Sequence, residues 1–191
     1  MTSRIGAIIL AAGASARLGY PKQTIIFRGE TLLDRALRIT RASGVCEAIV
    51  VLGAFAEEIR KSCRLQGCAL VQNPDWMKGM GSSIRHGIHS LREVEGALIL
   101  TCDMVAVTTV HLQKLTASGK LTASFYDGKR GVPVYFPQTM FGLLLQLDDS
   151  RGAGHLLASA DTIALPGGEL DIDTPDDVSH MNELKENELK E

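Results

Sequence analysis

The chain has 191 residues, of which 45% are hydrophobic and 22% are charged. A chain of this size and composition is predicted to form one soluble globular domain over residues 1–191, without room for a second full domain. Its formal net charge of −2 excludes the diffuse positive field that binds nucleic acid or an acidic membrane surface. Any anion-binding site must therefore be local, and we expect neither nucleic acid nor a membrane as a partner.

The first apolar run, IGAIILA at residues 5–11, follows Arg4 and precedes an Ala-Ser-Ala step, which together imitate a secretory signal. The run is at the short end for such a signal, and the chain after it has no other first strand for a sheet. We therefore interpret it as a buried strand of a cytoplasmic protein. The four cysteines form no CxxC pair and are predicted to be reduced thiols, and His86 and His89 are predicted to be a surface pair without further metal ligands.

Apolar runs of strand length then alternate with helical patterns. Strands are predicted at 48–53, 69–72 and 96–102, and helices at 31–43, 56–63 and 82–94. Unbroken runs of β-branched residues and leucine are typical of strands covered on both faces, which favours a parallel sheet with crossover helices. After residue 120 the pieces are shorter, with strands at 121–126, 132–136 and 162–166 around helices at 137–147 and 152–160. This change predicts a mixed or antiparallel extension of the same sheet.

The connection after the first strand, LAAGASARLGYPK at residues 10–22, combines small residues with two cations. In an open parallel sheet, ligands bind beyond the carboxyl ends of the strands, where backbone N–H groups point outward. The small residues at 11–13 would let a ligand approach the backbone, and Arg17 and Lys22 would add the charges that a triphosphate requires. The spacing fits neither a P-loop nor a dinucleotide-binding fingerprint. A small-residue turn with incidental cations is the alternative that this loop by itself leaves open.

Asp103 directly follows the strand predicted at 96–102, so its carboxylate is expected at the same sheet edge as the first loop. A carboxylate there suits a hard cation such as Mg²⁺, which would bridge it to phosphate oxygens. The alternative role is to cap the helix that follows. Thr108 or Thr109 is the nearer candidate for that cap.

A second acidic segment, LDIDTPDDV, contains a helix start. Thr174 precedes a proline and has an acid three places on, so Asp176 and Asp177 are predicted to be structural. Alternation places Asp171 and Asp173 on one side of a short strand, and Asp173, at its end, is the better candidate for a second metal contact. Two carboxylates around one Mg²⁺, with cationic phosphate contacts, favour phosphoryl or nucleotidyl transfer by positioning and charge neutralisation.

The stretch NPDWMKGMGSSIRHG, residues 73–87, is predicted to be a loop that opens a helix. Two interpretations stay open. Ser82 or Ser83 caps the helix, or the backbone and hydroxyl groups of this loop contact a nucleobase. Trp76 is equally suited to packing and to binding.

Five motifs carry a resemblance to a known family, in the order LAAGASARLGYPK, NPDWMKGMGSSIRHG, CDM, GVPVYF and LDIDTPDD. Over nearly the whole chain they resemble the MobA-like NTP transferase family, the nucleotidyltransferases of the molybdenum-cofactor type, and LAAG looks more like its cytidylyl than its guanylyl branch. The resemblance implies an α/β fold, a Rossmann-like three-layer sandwich whose mostly parallel sheet has a mixed C-terminal extension. It also implies a nucleoside triphosphate, Mg²⁺ or Mn²⁺, and release of pyrophosphate. We accordingly expect a nucleotide-binding half at 1–120, an acceptor-side half at 121–181 and a charged tail at 182–191.

Carried over position by position, the resemblance assigns one set of residues to the nucleotide and another to the chemistry. The nucleotide set from the resemblance is Leu10, Ala11, Ala12 and Gly13, and the nucleobase-contact interpretation of the loop at 73–87 adds Asn73, Gly81, Ser82 and Ser83. In the chemical set, Arg17 and Lys22 hold the phosphates and Asp103 holds the metal ion, with Asp173 as a second metal-side acid.

The departures from the family's pattern lie on the acceptor side, at Val132 in GVP, Val105 after CDM and Gly154 after RGA. They bear on the identity of the acceptor and leave the nucleotide half intact. The leading hypothesis is transfer of CMP from CTP to molybdopterin, with a molybdoenzyme or its maturation chaperone as a further partner. The alternatives are guanylyl transfer, transfer to a sugar or alcohol phosphate, and non-catalytic delivery of molybdenum cofactor.

Overall fold

The computed structural model describes residues 4–188, with side chains described up to residue 181. The strands are β1 (Ile5–Ala11), β2 (Ile26–Phe27), β3 (Glu30–Thr31), β4 (Glu47–Leu52), β5 (Ala69–Gln72), β6 (Gly96–Thr101), β7 (Thr122–Tyr126), β8 (Lys129–Pro137) and β9 (Asp161–Ala164). The helices are α1 (Leu32–Ala42), α2 (Ala56–Ser62), α3 (Met80–Ser90), α4 (Thr109–Thr116), α5 (Phe141–Leu145) and α6 (Pro175–Glu188). The predicted tail therefore begins inside α6, and its residues 189–191 lie outside the described part of the chain.

One seven-stranded sheet organises the molecule, in the order β5-β4-β1-β6-β8-β7-β9. The first four strands in that order are all parallel. β8 runs antiparallel to both of its neighbours, and β7 pairs in parallel with β9. The predicted parallel sheet with a mixed C-terminal extension is confirmed. The short hairpin of β2 and β3, which the sequence patterns did not indicate, forms a separate small sheet.

Helices cover both faces of the sheet. Alternate residues of β1 enter different cores. Ala7 and Ile9 pack with residues of α1, α2 and α4, whereas Ile8 and Leu10 pack with residues of α3 and α5. Burial on both sides explains why the strand reads as a continuous apolar run instead of an alternating one. The three-layer sandwich is confirmed.

Most helix ends lie where capping residues predict them. The hydroxyl of Thr31 accepts a hydrogen bond from the backbone N–H of Asp34 at 3.0 Å, and α1 is followed by Gly44 with a φ of +95°. Thr108 caps α4 through its hydroxyl, as predicted. The hydroxyl of Thr174 accepts from the N–H of Asp177 at the start of α6. No helix within residues 4–188 has the length and apolar character needed to cross a membrane, and all four cysteines are free, as predicted.

The two helices predicted after residue 136 are wrong in extent. The segment 137–147 contains a 3₁₀ turn at 138–140 and only five α-helical residues in α5, and 152–160 contains only a 3₁₀ turn at 153–157. The chain must stop α5 early because its exit backbone packs on α3, where Arg85 donates to the carbonyl of Leu147 at 2.5 Å. This tertiary contact outweighs the helical pattern of the segment.

Candidate active site

The carboxyl ends of β1 and β6 open onto a cleft with a volume of about 670 Å³. Seven of the predicted site residues line it, namely Leu10, Ala12, Gly13, Lys22, Ser83, Asp103 and Asp173. The other five stand outside the lining, and they are Ala11, Arg17, Asn73, Gly81 and Ser82. The topology thus brings the first loop and the two predicted metal carboxylates to one place. Part of the predicted nucleotide set lies outside the lining of the cleft.

The first loop is organised around Gln23, a residue that the sequence motifs did not single out. Its side chain is only 1% exposed, and its Nε2 donates to the carbonyl of Ala11 at 2.8 Å. The hydroxyl of Ser15 accepts from the backbone N–H of Lys22 at 3.2 Å. A Cβ atom on Gly13 would meet no atom within 4 Å, so the backbone there faces open space. The loop is therefore held by protein contacts on one side and is open on the cleft side. The sequence feature that could have indicated this role of Gln23 is its polar side chain directly after Lys22.

Two cations and two carboxylates meet at the base of this loop. Nζ of Lys22 contacts Oδ2 of Asp103 and lies 2.5 Å from Oδ1 of Asp173. A guanidinium nitrogen of Arg17 lies 2.5 Å from the other oxygen of Asp173. The side chains of Lys22 and Asp103 are 17% and 9% exposed, whereas that of Arg17 is 68% exposed. The sequence assigned the cations to phosphates and the acids to a metal ion, and the fold adds direct pairing between them.

The buried part of this cluster shifts the proton affinities of its members. Burial disfavours the ammonium form of Lys22, but the charges and hydrogen bonds of Asp103 and Asp173 outweigh it and raise its pKa above the usual value. Burial also acts to raise the pKa of Asp173, but Lys22 and then Arg17 reverse this and hold that pKa below its usual value. Lys22 and Asp173 are therefore both charged near neutral pH in the described structure.

Asp173 reaches Asp103 because its segment pairs with the loop after β6. The backbone N–H of Ile172 donates to the carbonyl of Asp103 at 3.2 Å, and Asp171 forms an isolated antiparallel bridge with Met104. The short strand predicted here is wrong: a single bridge forms, because Thr174 already caps α6 and leaves no length for a strand. Burial, followed by the charges of Asp173 and Asp103, raises the pKa of Asp171.

The donor set at the cleft fits a hard divalent cation. Within residues 4–181, whose side chains are described, there is no group of three or more histidine, cysteine or acidic side chains arranged to hold a metal ion. Asp103 and Asp173 supply two carboxylates, and Oδ1 of Asp103 is buried without a hydrogen-bond partner in the described structure. An orphaned carboxylate oxygen is costly to bury, and a cation with further oxygen ligands from substrate and water would satisfy it. Asp103 and Asp173 would be the residues that hold it.

Asn73 forms a buried polar network with the start of α3. It is fully buried, and its Nδ2 donates to the hydroxyls of Ser82 at 2.8 Å and Ser83 at 3.0 Å. Its Oδ1 accepts from the backbone N–H of Asp75 at 2.9 Å. Of these hydroxyl-bearing residues, Ser83 also lines the cleft. A direct contact of Asn73 or Ser82 with nucleotide stays a prediction, and their observed partners are protein groups.

The interpretation of Ser82 or Ser83 as a helix cap is wrong. α3 begins at Met80, two residues earlier than predicted, and Gly79 is its N-cap without a side-chain bond. The backbone of Gly81 donates to the carbonyl of Asp149 at 3.1 Å, and a Cβ atom on Gly81 would lie 2.0 Å from the carbonyl oxygen of Asp148. α3 thus starts against the loop after α5, and both serines lie inside the helix, where their hydroxyls accept from Asn73.

The three acceptor-side departures lie in different places. Val132 lines the cleft, together with Tyr126, which the motifs did not indicate. The carbonyl of Val105 accepts from the guanidinium of Arg35 at 2.7 Å, which ties down the loop after Asp103. Gly154 lies outside the cleft lining, and a Cβ atom there would meet nothing within 4 Å. Val132 is thus the departure that changes the cleft wall.

Comparison with known families gives a match over most of the chain. The model of a family described as "MobA-like NTP transferase domain" matches residues 7–163, which include the first loop and Asp103. The chain belongs to the MobA-like NTP transferase family. Asp173 lies beyond the matched residues, so its place beside Asp103 comes from the fold.

Curated relatives of this family member have diverse names. The nicotine blue oxidoreductase of Paenarthrobacter nicotinovorans is 32% identical over 63% of this chain, and the match covers 61% of that relative, less than two thirds of its length. The purine catabolism protein PucB of Bacillus subtilis is 30% identical over 89% of this chain and 92% of its own. The molybdenum cofactor cytidylyltransferase of Escherichia coli is 25% identical over 92% of this chain and 94% of its own.

Solved structures give the same fold. Rv0371c from Mycobacterium tuberculosis superimposes with a TM-score of 0.84 at 28% identity, covering 95% of this chain and 98% of the other. A complex of Rv0371c with manganese has a TM-score of 0.79 at 26% identity, covering 94% and 98% of the two chains.

Proposed function

We propose that this protein is a divalent-metal-dependent nucleotidyltransferase that moves CMP from CTP to a molybdopterin-type phosphorylated acceptor and releases pyrophosphate. The observation that carries the proposal is the meeting of Arg17, Lys22, Asp103 and Asp173 at one end of an open cleft. Arg17 and Lys22 come from the first loop, whereas Asp103 and Asp173 come from two segments much later in the chain. The fold brings all four to the edge where parallel sheets bind ligands.

In the proposed reaction, the backbone at Gly13 lets the triphosphate lie against the first loop, and Lys22 and Arg17 bind and orient its oxygens. Asp103 and Asp173 would hold Mg²⁺ or Mn²⁺, and that ion would supply positive charge at the phosphate oxygens. A phosphate oxygen of the acceptor bonds to the α-phosphorus of CTP as the bond to the bridging β-phosphate oxygen breaks. The electron pair leaves with pyrophosphate. The attacking phosphate oxygen is already anionic near neutral pH, so the chain needs no general base.

The family membership and the Escherichia coli cytidylyltransferase support nucleotidyl transfer to a molybdenum cofactor. The names of the other relatives differ from this activity, and Val132 alters the cleft wall on the acceptor side. Guanylyl transfer, transfer to a sugar or alcohol phosphate, and non-catalytic delivery of the cofactor are therefore outcomes that the experiment must separate.

The test is pyrophosphate release by purified protein with Mg²⁺ and molybdopterin, measured separately with CTP, GTP, ATP and UTP. We expect release with CTP. Release with another nucleotide would change the base assignment and keep the reaction. No release with any nucleotide, while CTP binding is detected by calorimetry, would reject nucleotidyl transfer to molybdopterin.

The same assay tests the role of the buried carboxylate. We expect Asp103→Asn to lower the rate of pyrophosphate release by at least about 100-fold, because a neutral amide no longer compensates a divalent cation at the reacting phosphates. Asp176→Asn is the matched control, because it makes the same change at an exposed acid three residues after Asp173. A rate for Asp103→Asn within about threefold of the control would contradict the assignment.

A further inference from the structure

Lys22 stands where the proposed metal site needs a cation. Its ammonium nitrogen contacts one oxygen of Asp103 and lies 2.5 Å from an oxygen of Asp173, so it bridges the same two carboxylates that are assigned to the metal ion. Divalent cations such as Mg²⁺ bind carboxylate oxygens at about 2.0–2.1 Å. The ammonium group and a metal ion would therefore occupy nearly the same space, and their charges repel.

This pairing is largely shielded from water, which makes it harder to exchange than a surface ion pair. The side chains of Lys22, Asp103 and Asp173 are 17%, 9% and 25% exposed. An ion pair at such a position is strongly coupled, because removal of one partner leaves an uncompensated charge in a poorly solvated place. Arg17 also contacts Asp173, but its side chain is 68% exposed, so water can replace that contact at small cost.

We infer that Lys22 acts as an internal counter-ion that closes the metal site in the free protein, so that metal ion and nucleoside triphosphate bind in a mutually dependent way. The inference rests on the metal site of the proposed function. A metal ion that binds without nucleotide must displace the ammonium group of Lys22 from the two carboxylates. The displaced ammonium group and the metal ion are then two cations close together in the cleft. A triphosphate supplies the anionic oxygens that Lys22 needs once it leaves the carboxylates. By thermodynamic reciprocity, the nucleotide tightens metal binding by the same factor as the metal tightens nucleotide binding.

The experiment measures Mn²⁺ binding by the loss of the free-ion signal in electron paramagnetic resonance, with and without CTP and without acceptor. Because the phosphate oxygens of CTP themselves bind Mn²⁺, the signal lost in a matched Mn²⁺–CTP solution without protein is subtracted. In the absence of CTP, we expect Lys22→Met to bind Mn²⁺ at least about tenfold more tightly than the unmodified protein, since no ammonium group must be displaced. With saturating CTP, the affinity of the unmodified protein should rise by about tenfold or more, and this rise should be much smaller in Lys22→Met.

Lys129→Met is the matched control. Lys129 also lines the cleft, but its side chain is 65% exposed and pairs with Asp127 instead of the proposed metal carboxylates. If any lost positive charge in the cleft strengthened Mn²⁺ binding, both variants would show it. We expect the Mn²⁺ affinity of Lys129→Met to stay within about twofold of the unmodified protein.

Thermal unfolding provides a second measurement and a check on folding. Without Lys22 the two carboxylates repel each other, so Lys22→Met should melt below the unmodified protein in the absence of metal and gain more from added Mn²⁺. Lys22→Gln, which offers hydrogen bonds without charge, serves if Lys22→Met does not fold. Equal or weaker Mn²⁺ binding by a folded variant would overturn the inference.

The two proposals fail in different ways. If the unmodified protein releases pyrophosphate in an Asp103-dependent manner but Lys22→Met binds Mn²⁺ no more tightly, the counter-ion role alone is wrong. If none of the proteins binds Mn²⁺ even with CTP, and Asp103→Asn is as fast as its control, the metal site of the proposed function is wrong as well.

Discussion

The substitution Asn73→Ala should destabilise the protein strongly although it lies in a loop. Asn73 is fully buried, and its amide makes three hydrogen bonds, to the hydroxyls of Ser82 and Ser83 and from the N–H of Asp75. At about 1 kcal/mol of net stabilisation for each bond, their loss should lower the free energy of unfolding by about 3 kcal/mol. That is a large part of the ~5–15 kcal/mol typical of a native domain.

Urea unfolding followed by circular dichroism measures this loss. Gln72→Ala is the matched control, because Gln72 is the neighbouring amide, is exposed, and its side chain accepts a long 3.4 Å contact from Arg60. We expect the control to change the free energy of unfolding by less than about 0.5 kcal/mol. A loss below about 1 kcal/mol for Asn73→Ala, or an equal loss for the control, would show that the buried network does not hold the start of α3.

Two further predictions concern packing and pH. Gly81→Ala should lower the free energy of unfolding, because a Cβ atom there would lie 2.0 Å from the carbonyl oxygen of Asp148. Gly142→Ala should not lower it, because a Cβ atom at that position would meet nothing within 4 Å. Equal urea midpoints for the two variants would contradict the described packing. Burial lowers the pKa of His111 to about 4. Between about pH 6.5 and pH 4 the unfolded chain therefore binds a proton at this residue that the folded chain does not bind. The stability that the neutral histidine contributes is present above pH 6.5 and is lost as the pH falls toward 4. Urea unfolding at pH 7.5 and pH 5 should therefore show a larger loss for the unmodified protein than for His111→Gln, whose side chain cannot titrate, and equal losses would refute the assignment.

The buried histidine also illustrates a contact that the sequence did not indicate. The hydroxyl of Ser124 must donate to the carbonyl of Pro133, at 2.7 Å, because a carbonyl can only accept. Nε2 of His111, 2.8 Å from the same hydroxyl, is therefore the protonated ring nitrogen and donates to it. These residues come from α4, β7 and β8, and the network joins that helix to the mixed part of the sheet beside Val132.

The confirmed predictions depend on helix-capping residues that are close in sequence or on the burial of a strand on both faces. The unbroken apolar run of β1 indicated burial on both faces, and the polar hydroxyls of Thr108 and Thr174 indicated helix starts. The predictions that failed depend on what another segment does at the same place. α5 ends where its exit packs on Arg85. α3 begins at Met80, against the loop at 148–151, so both serines lie inside the helix and not at its cap.

The sequence by itself determined the alternation of strands and helices from β1 to β6, apart from the hairpin of β2 and β3, and the edge at which the first loop and Asp103 meet. Both follow from short-range rules: apolar periodicity selects the elements, and a parallel sheet gathers the residues that follow its strands at one edge. The sequence named Asp173 as a second metal contact, but only the tertiary structure shows how it joins them, through the bridge of its segment to the loop after β6. The tertiary structure also decided that Lys22 lies between the two carboxylates, because the partners of a long side chain depend on which charges the whole fold places within its reach.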